Sequence, residues 1–84
     1  MLEDIKEVAE DLYCEYEVED GNIIKVNFKN FKDKFQLICK VKEKWTTVIK
    51  LKNGEYEKKY CFYNRDKLKS FICCQFILEC FQRA

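Results

Sequence analysis

The most reactive side chains in this 84-residue chain are those of its six cysteines, Cys14, Cys39, Cys61, Cys73, Cys74 and Cys80. A thiolate can ligate zinc, attack an electrophile or form a disulfide. The sequence has no histidine and no Cys-x-x-Cys pair, so it lacks the usual partners of a zinc ion and of a nucleophilic cysteine. We interpret the cysteines as buried free thiols acting as small hydrophobic residues, with a zinc site and disulfides as the alternatives.

Other catalytic arrangements have little support. Lys59, Cys61 and Tyr63 lie close together, but strand alternation alone explains why Cys61 and Tyr63 share a side. The only glycines, Gly21 and Gly54, stand in predicted turns, which leaves none for a phosphate-binding loop. We therefore predict no catalytic residues, no metal ligands and no cofactor, and we expect that the protein is not an enzyme.

Charge is distributed unevenly along the chain. Residues 1–20 carry a net charge of −8 and residues 21–84 a net charge of +9, which gives +1 overall. We call the acidic N-terminal residues the acidic pole and predict that they bind a basic partner surface; they are Glu3, Glu7, Glu10, Asp11, Glu15, Glu17 and Glu19. The alternative is an ordinary solvated acidic surface.

Hydrophobic periodicity places these residues on helices and strands. Residues 2–12 show the spacing of an amphipathic helix, and from Tyr13 the period changes to two. A three-residue loop at 20–22 pairs Val18 with Ile24 and Tyr16 with Val26, which keeps both faces of the hairpin consistent.

The next two hairpins are assigned by the same test. A three-residue connection, 42–44, pairs Val41 with Trp45 and turns the alternate residues of both strands inward: Phe35, Leu37, Cys39 and Val41, then Trp45, Thr47, Ile49 and Leu51.

Asn53-Gly54 predicts a two-residue hairpin turn. Its register pairs Lys52 with Glu55 and Lys50 with Glu57 on the outside, and Leu51 with Tyr56 and Trp45 with Phe62 on the inside. Ile38 and Val48 are then the apolar residues of the outer face, and the link at 29–34 has no clear turn signal.

A last helix is predicted from about residue 65 to 82, with Asn64 as its N-cap. It is apolar over most of its circumference. The surplus is expected to contact the first helix, a second copy or another protein through Cys73, Phe76, Ile77, Cys80 and Phe81.

The predicted fold is α+β: a helix, an antiparallel β-meander of four to five strands and a second helix, with both helices on one face of the sheet. Residues 1–84 form a single compact domain. Its acidic first residues and the absence of an apolar run of membrane-spanning length predict a cytoplasmic protein without a membrane partner.

We predict a small, non-catalytic protein–protein interaction module, such as an inhibitor or adaptor, with a homodimer as a further expectation. Fourteen lysines against two arginines, with many isoleucines, asparagines and phenylalanines, are typical of an AT-rich genome, such as that of a low-GC bacterium, its phage or an AT-rich archaeon. We expect a phage or mobile element as the source. The alternative function is nucleic-acid binding through a lysine-rich sheet face, with contacts from Lys25, Lys29, Lys40, Lys42, Lys50 and Lys52. The order of elements is loosely similar to a double-stranded-RNA-binding domain, but only Lys67 and Lys69 stand where that family has a basic cluster, so we assign no family.

Overall fold

The computed structural model describes residues 2–28 and 34–83, with the side chains of the last helix described up to Leu78. In chain order the elements are α1 (Leu2–Asp11), β1 (Glu15–Glu19), β2 (Ile23–Phe28), β3 (Phe35–Val41), β4 (Thr46–Lys52), β5 (Glu55–Phe62) and α2 (Arg65–Arg83). The strands form one antiparallel sheet in the order β1-β2-β3-β4-β5. The predicted α+β fold with a five-stranded meander is therefore confirmed. Most of the link at 29–34 lies outside the described residues.

The first hairpin has the predicted register. Val18 pairs with Ile24 and Tyr16 with Val26, around a three-residue loop in which Gly21 has a φ of 71°. A glycine adopts this left-handed conformation without the steric cost that a β-carbon brings. The hairpin directs Tyr16 and Val18 to one face of the sheet and Glu17 to the other.

The predicted register between β3 and β4 is wrong by one residue. Val41 pairs with Thr46 and not with Trp45, because the connection contains four residues, 42–45, and is closed by a 2.8 Å hydrogen bond from the Lys42 amide to the Trp45 carbonyl. A shift of one residue reverses the two faces of a strand. Thr46 and Val48 are consequently fully buried.

The alternate residues of β4 that were predicted to point inward, Thr47, Ile49 and Leu51, lie on the opposite face and are only partly buried. Trp45, which precedes the strand, is also partly exposed. The prediction that Val48 is an outward residue is wrong for the same reason.

The turn between β4 and β5 forms as predicted. Asn53 and Gly54 have φ values of 53° and 84°, and Lys52 pairs with Glu55 while Leu51 pairs with Tyr56. Leu51 and Tyr56 share a face as expected, but that face is the outer one.

A register shift then follows at Lys50, beyond which the pairing moves by one residue. Lys50 pairs with Lys58 and Thr46 with Phe62, so the predicted pairs Lys50–Glu57 and Trp45–Phe62 are wrong. This β-bulge lets the two-residue turn coexist with the inward position of Phe62.

One hydrophobic core joins both helices to the sheet. Its strand residues alternate along β2, β3 and β4, and its helix residues include Ile5 and Val8 of α1 and Leu68 and Ile72 of α2. Phe71 of α2 adds aromatic contacts to β5, with its ring centroid 4.4 Å from Tyr60 and 4.9 Å from Phe62. The shared core agrees with the predicted placement of both helices on one face, which stays a prediction.

A lysine lies inside this core. Only 9% of Lys50 is exposed, and its Nζ donates a 2.8 Å hydrogen bond to Oε1 of Gln75 on α2. The same Nζ lies 3.5 Å from a carboxylate oxygen of Glu57 and 5.1 Å from the centroid of the Phe35 ring. These contacts compensate for the removal of the ammonium from water, which is otherwise costly.

The start of α2 is fixed by the residue predicted to cap it. Oδ1 of Asn64 accepts hydrogen bonds from the backbone amides of Asp66 at 2.8 Å and Lys67 at 3.2 Å. These two amides have no partner within the helix, so the side chain stabilises the first turn.

Candidate protein-binding surface

The outer face of the sheet is the face turned away from the core, and its central row of side chains can be followed across all five strands. From β1 to β5 the row contains Glu17, Lys25, Ile38, Ile49 and Lys59, each opposite the next. A parallel row lies on each side of it. The first row contains, from β1 to β5, Glu19, Ile23, Lys40, Thr47 and Cys61. The second row contains, in the same order, Glu15, Asn27, Gln36, Leu51 and Tyr56. The central row therefore has charged side chains on β1, β2 and β5 and isoleucines on β3 and β4.

An apolar band crosses this face diagonally from β2 to β5; its members are Ile23, Ile38, Ile49, Leu51 and Tyr56. The four aliphatic side chains are partly exposed, and Tyr56 is 64% exposed. A contiguous apolar surface of this kind, bordered by charged residues, is typical of a binding site.

The part of the acidic pole on β1 borders this face. Glu15, Glu17 and Glu19 point to its outer side and form one edge of the surface. Glu19 accepts a 2.9 Å hydrogen bond from Nζ of Lys25, and this bond raises the pKa of Lys25. The edge strand therefore presents carboxylates beside the apolar band.

The part of the acidic pole on α1 makes its own local contacts. Glu3 lies 3.3 Å from Nζ of Lys6, and Glu7 lies 3.8 Å from Nζ of Lys69 on α2. Glu10 accepts a 2.8 Å hydrogen bond from the hydroxyl of Tyr16, which raises the pKa of that tyrosine. Together with the exposed Asp11, these acids form a group apart from the glutamates on the outer face of β1.

The lysines predicted to contact nucleic acid do not share one face. Lys25 and Lys40 lie on the outer face, and Lys42 lies in the turn that follows β3. Lys50 is buried, and Lys52 has the same strand parity, so their predicted outward placement is wrong. Lys29 lies outside the described residues.

An aromatic pair next to these lysines was missed because Trp45 was predicted to point inward. The ring centroids of Trp45 and Tyr63 are 6.3 Å apart, and Nζ of Lys42 lies 5.4 Å from the Trp45 ring. Tyr63 is 73% exposed. The turn sequence contained a usable signal: a three-residue loop needs a residue with positive φ, and the segment 42–44 offers no glycine or asparagine.

The predicted contact surface on α2 is only partly exposed. Phe76 packs with its ring centroid 6.3 Å from that of Phe28, and Cys73 packs against the core. Ile77 and Leu78 are 51% and 52% exposed. The side chains of Cys80 and Phe81 lie outside the described part of the chain. Because α2 contacts α1, part of its apolar surplus is used within the domain.

Among the five cysteines whose side chains the structure describes, Cys39 is buried, Cys14 and Cys73 are partly buried, and Cys61 and Cys74 are exposed. Burial raises the pKa of the Cys14 thiol to about 11 and that of Cys39 to about 12. Cys61 and Cys74 are exposed, so the prediction that all the thiols are buried is wrong for these two. Within residues 2–28 and 34–78, no group of three or more metal-ligating side chains could hold a metal ion.

The chain matches no protein-family model, no curated protein and no solved structure. Among the helices described here, none is long and apolar enough to cross a membrane.

Proposed function

We propose that this domain is a non-catalytic protein-binding module and that it binds through the outer face of its sheet. The observation that carries the proposal is the register of β4, which turns Ile49 and Leu51 outward beside Ile38 while Lys50 is buried. The band forms the centre of the binding surface and the glutamates of β1 form its rim.

The orientation of β4, which leaves Ile49 and Leu51 on the outer face, lowers the stability of an isolated domain. Full burial of an isoleucine or leucine side chain stabilises a protein by about 1.5–3 kcal/mol, so part of that stabilisation is left unused at Ile49 and Leu51. A partner that covers the band would recover it. Places where a sequence breaks its own hydrophobic pattern are expected at functional sites.

The layout of the outer face agrees with the anatomy of protein interfaces, which have an apolar core and a charged rim. Glu15, Glu17 and Glu19 would contribute the rim on β1 and favour a basic partner surface. The acids of α1 lie outside the contact and would act at longer range, raising the rate of association more than the affinity. An inhibitor or adaptor role fits such a surface.

Nucleic-acid binding is the second candidate, and the pair formed by Trp45 and Tyr63 is the observation in its favour. Aromatic rings beside lysines can stack on bases, and Nζ of Lys42 lies 5.4 Å from the centroid of the partly exposed Trp45 ring. The glutamates on β1 oppose it, because they would repel phosphates from the same face. Binding of this kind predicts an affinity that falls steeply with salt.

Capture from the native cell tests the two candidates together. The tagged chain would be compared with Ile38→Lys and with Ile77→Lys, a matched control because Ile77 is a 51% exposed isoleucine on α2. We expect Ile38→Lys to lose the captured protein and Ile77→Lys to retain it, in nuclease-treated lysate as well as untreated lysate.

Each captured protein would then be purified and its binding measured by calorimetry, so that only a direct complex counts. If Ile38→Lys and the parent chain capture equally and both have native circular dichroism spectra, the outer face is not the binding surface. Loss of all capture after nuclease treatment would favour the nucleic-acid function instead.

A further inference from the structure

We infer that the partner of the outer face is a second copy of this chain, packed face to face about a two-fold axis that runs along the apolar band. The inference rests on the proposed function of the outer face and adds the identity of the partner. It follows from how the band and the charges are arranged on the grid of strands.

The band is oblique to the strands. Between Ile23 on β2 and Tyr56 on β5 it crosses three strand spacings of about 4.8 Å and two steps of about 6.8 Å along the strands. Both displacements are therefore about 14 Å, and the band makes an angle of roughly 45° with the strands.

Charges of opposite sign lie on the two sides of the band. On one side stands Glu17, together with Glu15 farther along β1; on the other side stand Lys40 of β3 and Lys59 of β5. Lys25 lies on the glutamate side, where its ammonium is bonded to Glu19. The surface is consequently acidic on one side of the band and basic on the other.

Two axes in the plane of the sheet would superimpose the band of one copy on the band of another. An axis perpendicular to the band places each side over the same side of the second copy, so glutamates approach glutamates and lysines approach lysines. An axis along the band places each side over the opposite side. Only the second arrangement combines apolar contact with an excess of opposite charge across the axis, since the first brings like charges together.

The arrangement specifies which residues meet. Ile38 lies near the axis and contacts its own counterpart. Lys40 of the partner subunit comes opposite Lys25, whose ammonium is bonded to Glu19, and Glu17 stands beside this pair. Because the axis is about 45° from the strands, the strands of the two sheets cross at roughly 90°, which is one of the two common ways in which sheets pack. The interface is isologous, as expected for a two-fold dimer.

The area suits a reversible dimer. Five strands at about 4.8 Å and three rows at about 6.8 Å cover roughly 500 Å² on each copy, or about 1,000 Å² in total. That is near the lower limit for a specific interface and well below that of obligate dimers. We therefore expect a dimer that dissociates on dilution.

Light scattering after size-exclusion chromatography, over loading concentrations from about 1 µM to about 200 µM, tests the inference. We expect the mass to rise from 10.2 kDa toward twice that value as the concentration increases. Ile38→Lys should raise the dissociation constant at least tenfold, and Ile77→Lys should leave it within twofold.

A charge-reversal experiment tests the axis and does not depend on whether Ile38→Lys folds. Glu17→Lys and Lys40→Glu should each weaken self-association, because each places like charges face to face; the effect of Glu17→Lys should be the larger, because Lys25 also lies opposite Lys40 of the partner subunit. An equimolar mixture of the two should restore association as a heterodimer, since both contacts are then complementary. If the unmodified protein dimerises but the mixture of the two variants does not associate, the assigned axis is wrong.

The failure of this inference can be distinguished from the failure of the proposed function. A wild-type mass of 10.2 kDa throughout the concentration range, with capture of another protein that Ile38→Lys abolishes, would overturn the dimer and retain the binding face. A dimer disrupted by Ile77→Lys and not by Ile38→Lys would assign self-association to α2 and overturn the inference.

Discussion

The buried contact between Lys50 and Gln75 gives the sharpest test of the β4 register, on which the identity of the outer face depends. In the structure, the 2.8 Å hydrogen bond between them joins the inner side of β4 to α2. If β4 had the register in which Lys50 points outward, the two side chains would not meet. A double-mutant cycle with Lys50→Met and Gln75→Leu therefore measures which face β4 buries.

The expected magnitudes follow from the burial of both groups. A hydrogen bond to a charged group contributes about 1.5–3 kcal/mol, so Gln75→Leu should lower the free energy of unfolding by roughly 2 kcal/mol. Lys50→Met keeps the apolar stem but leaves Oε1 of Gln75 without this donor, at a cost of about 1 kcal/mol. In the double variant neither group is left unpaired, so the loss should be smaller than the sum, with a coupling energy of about 1–2 kcal/mol.

Urea unfolding followed by circular dichroism is a suitable assay. A domain of this length is expected to have a stability of about 4–13 kcal/mol, so differences of 2 kcal/mol are readily measured. Lys44→Met, at an exposed turn position, serves as the control and should change stability by less than about 0.5 kcal/mol. A coupling energy below about 0.4 kcal/mol would refute the register of β4 and with it the proposed binding face.

Three further outcomes are expected. Burial raises the pKa of the Cys39 thiol from 9.0 to about 12, so at high pH the folded state keeps a proton that the unfolded state releases. The free energy of unfolding should therefore fall as the pH rises from about 9 toward 12. Urea titrations of Cys39→Ala should show a smaller fall. Asn64→Ala should cost about 1 kcal/mol in urea unfolding whereas Asn64→Asp should retain most of the stability, and equal losses would argue against the cap. Native-state alkylation followed by mass spectrometry should modify Cys61 and Cys74 well before Cys39, and simultaneous modification would contradict the assigned burial.

Elements whose signals are local could be predicted from the sequence. The first helix, the cap at Asn64 and the Asn53-Gly54 turn each depend on residues within a few positions of one another. The hairpin between β1 and β2 was also predictable, because Val18 opposite Ile24 and Glu17 opposite Lys25 satisfy both faces at once. Hydrophobic pattern and turn chemistry agree at that point in the chain.

The face that β4 buries could not be predicted, because its two signals conflict. Burial favours the set that contains Ile49 and Leu51, whereas the four-residue turn and the contact of Lys50 with α2 favour the other set. The second signal depends on Gln75, which is 25 residues away in the sequence and visible only once α2 packs. The apolar band was therefore missed, although every residue in it had been assigned to a strand.

The four-residue turn between Val41 and Thr46 has a consequence for how this surface could arise or disappear during evolution. The length of that connection helps to determine which side chains of β4 lie on each face of the sheet. We expect one inserted or deleted turn residue to exchange the faces of β4, removing Ile49 from the surface and exposing Lys50, which lysine-selective labelling would detect. A single codon in a surface loop would then separate a sheet face that carries the proposed binding band from one that lacks it.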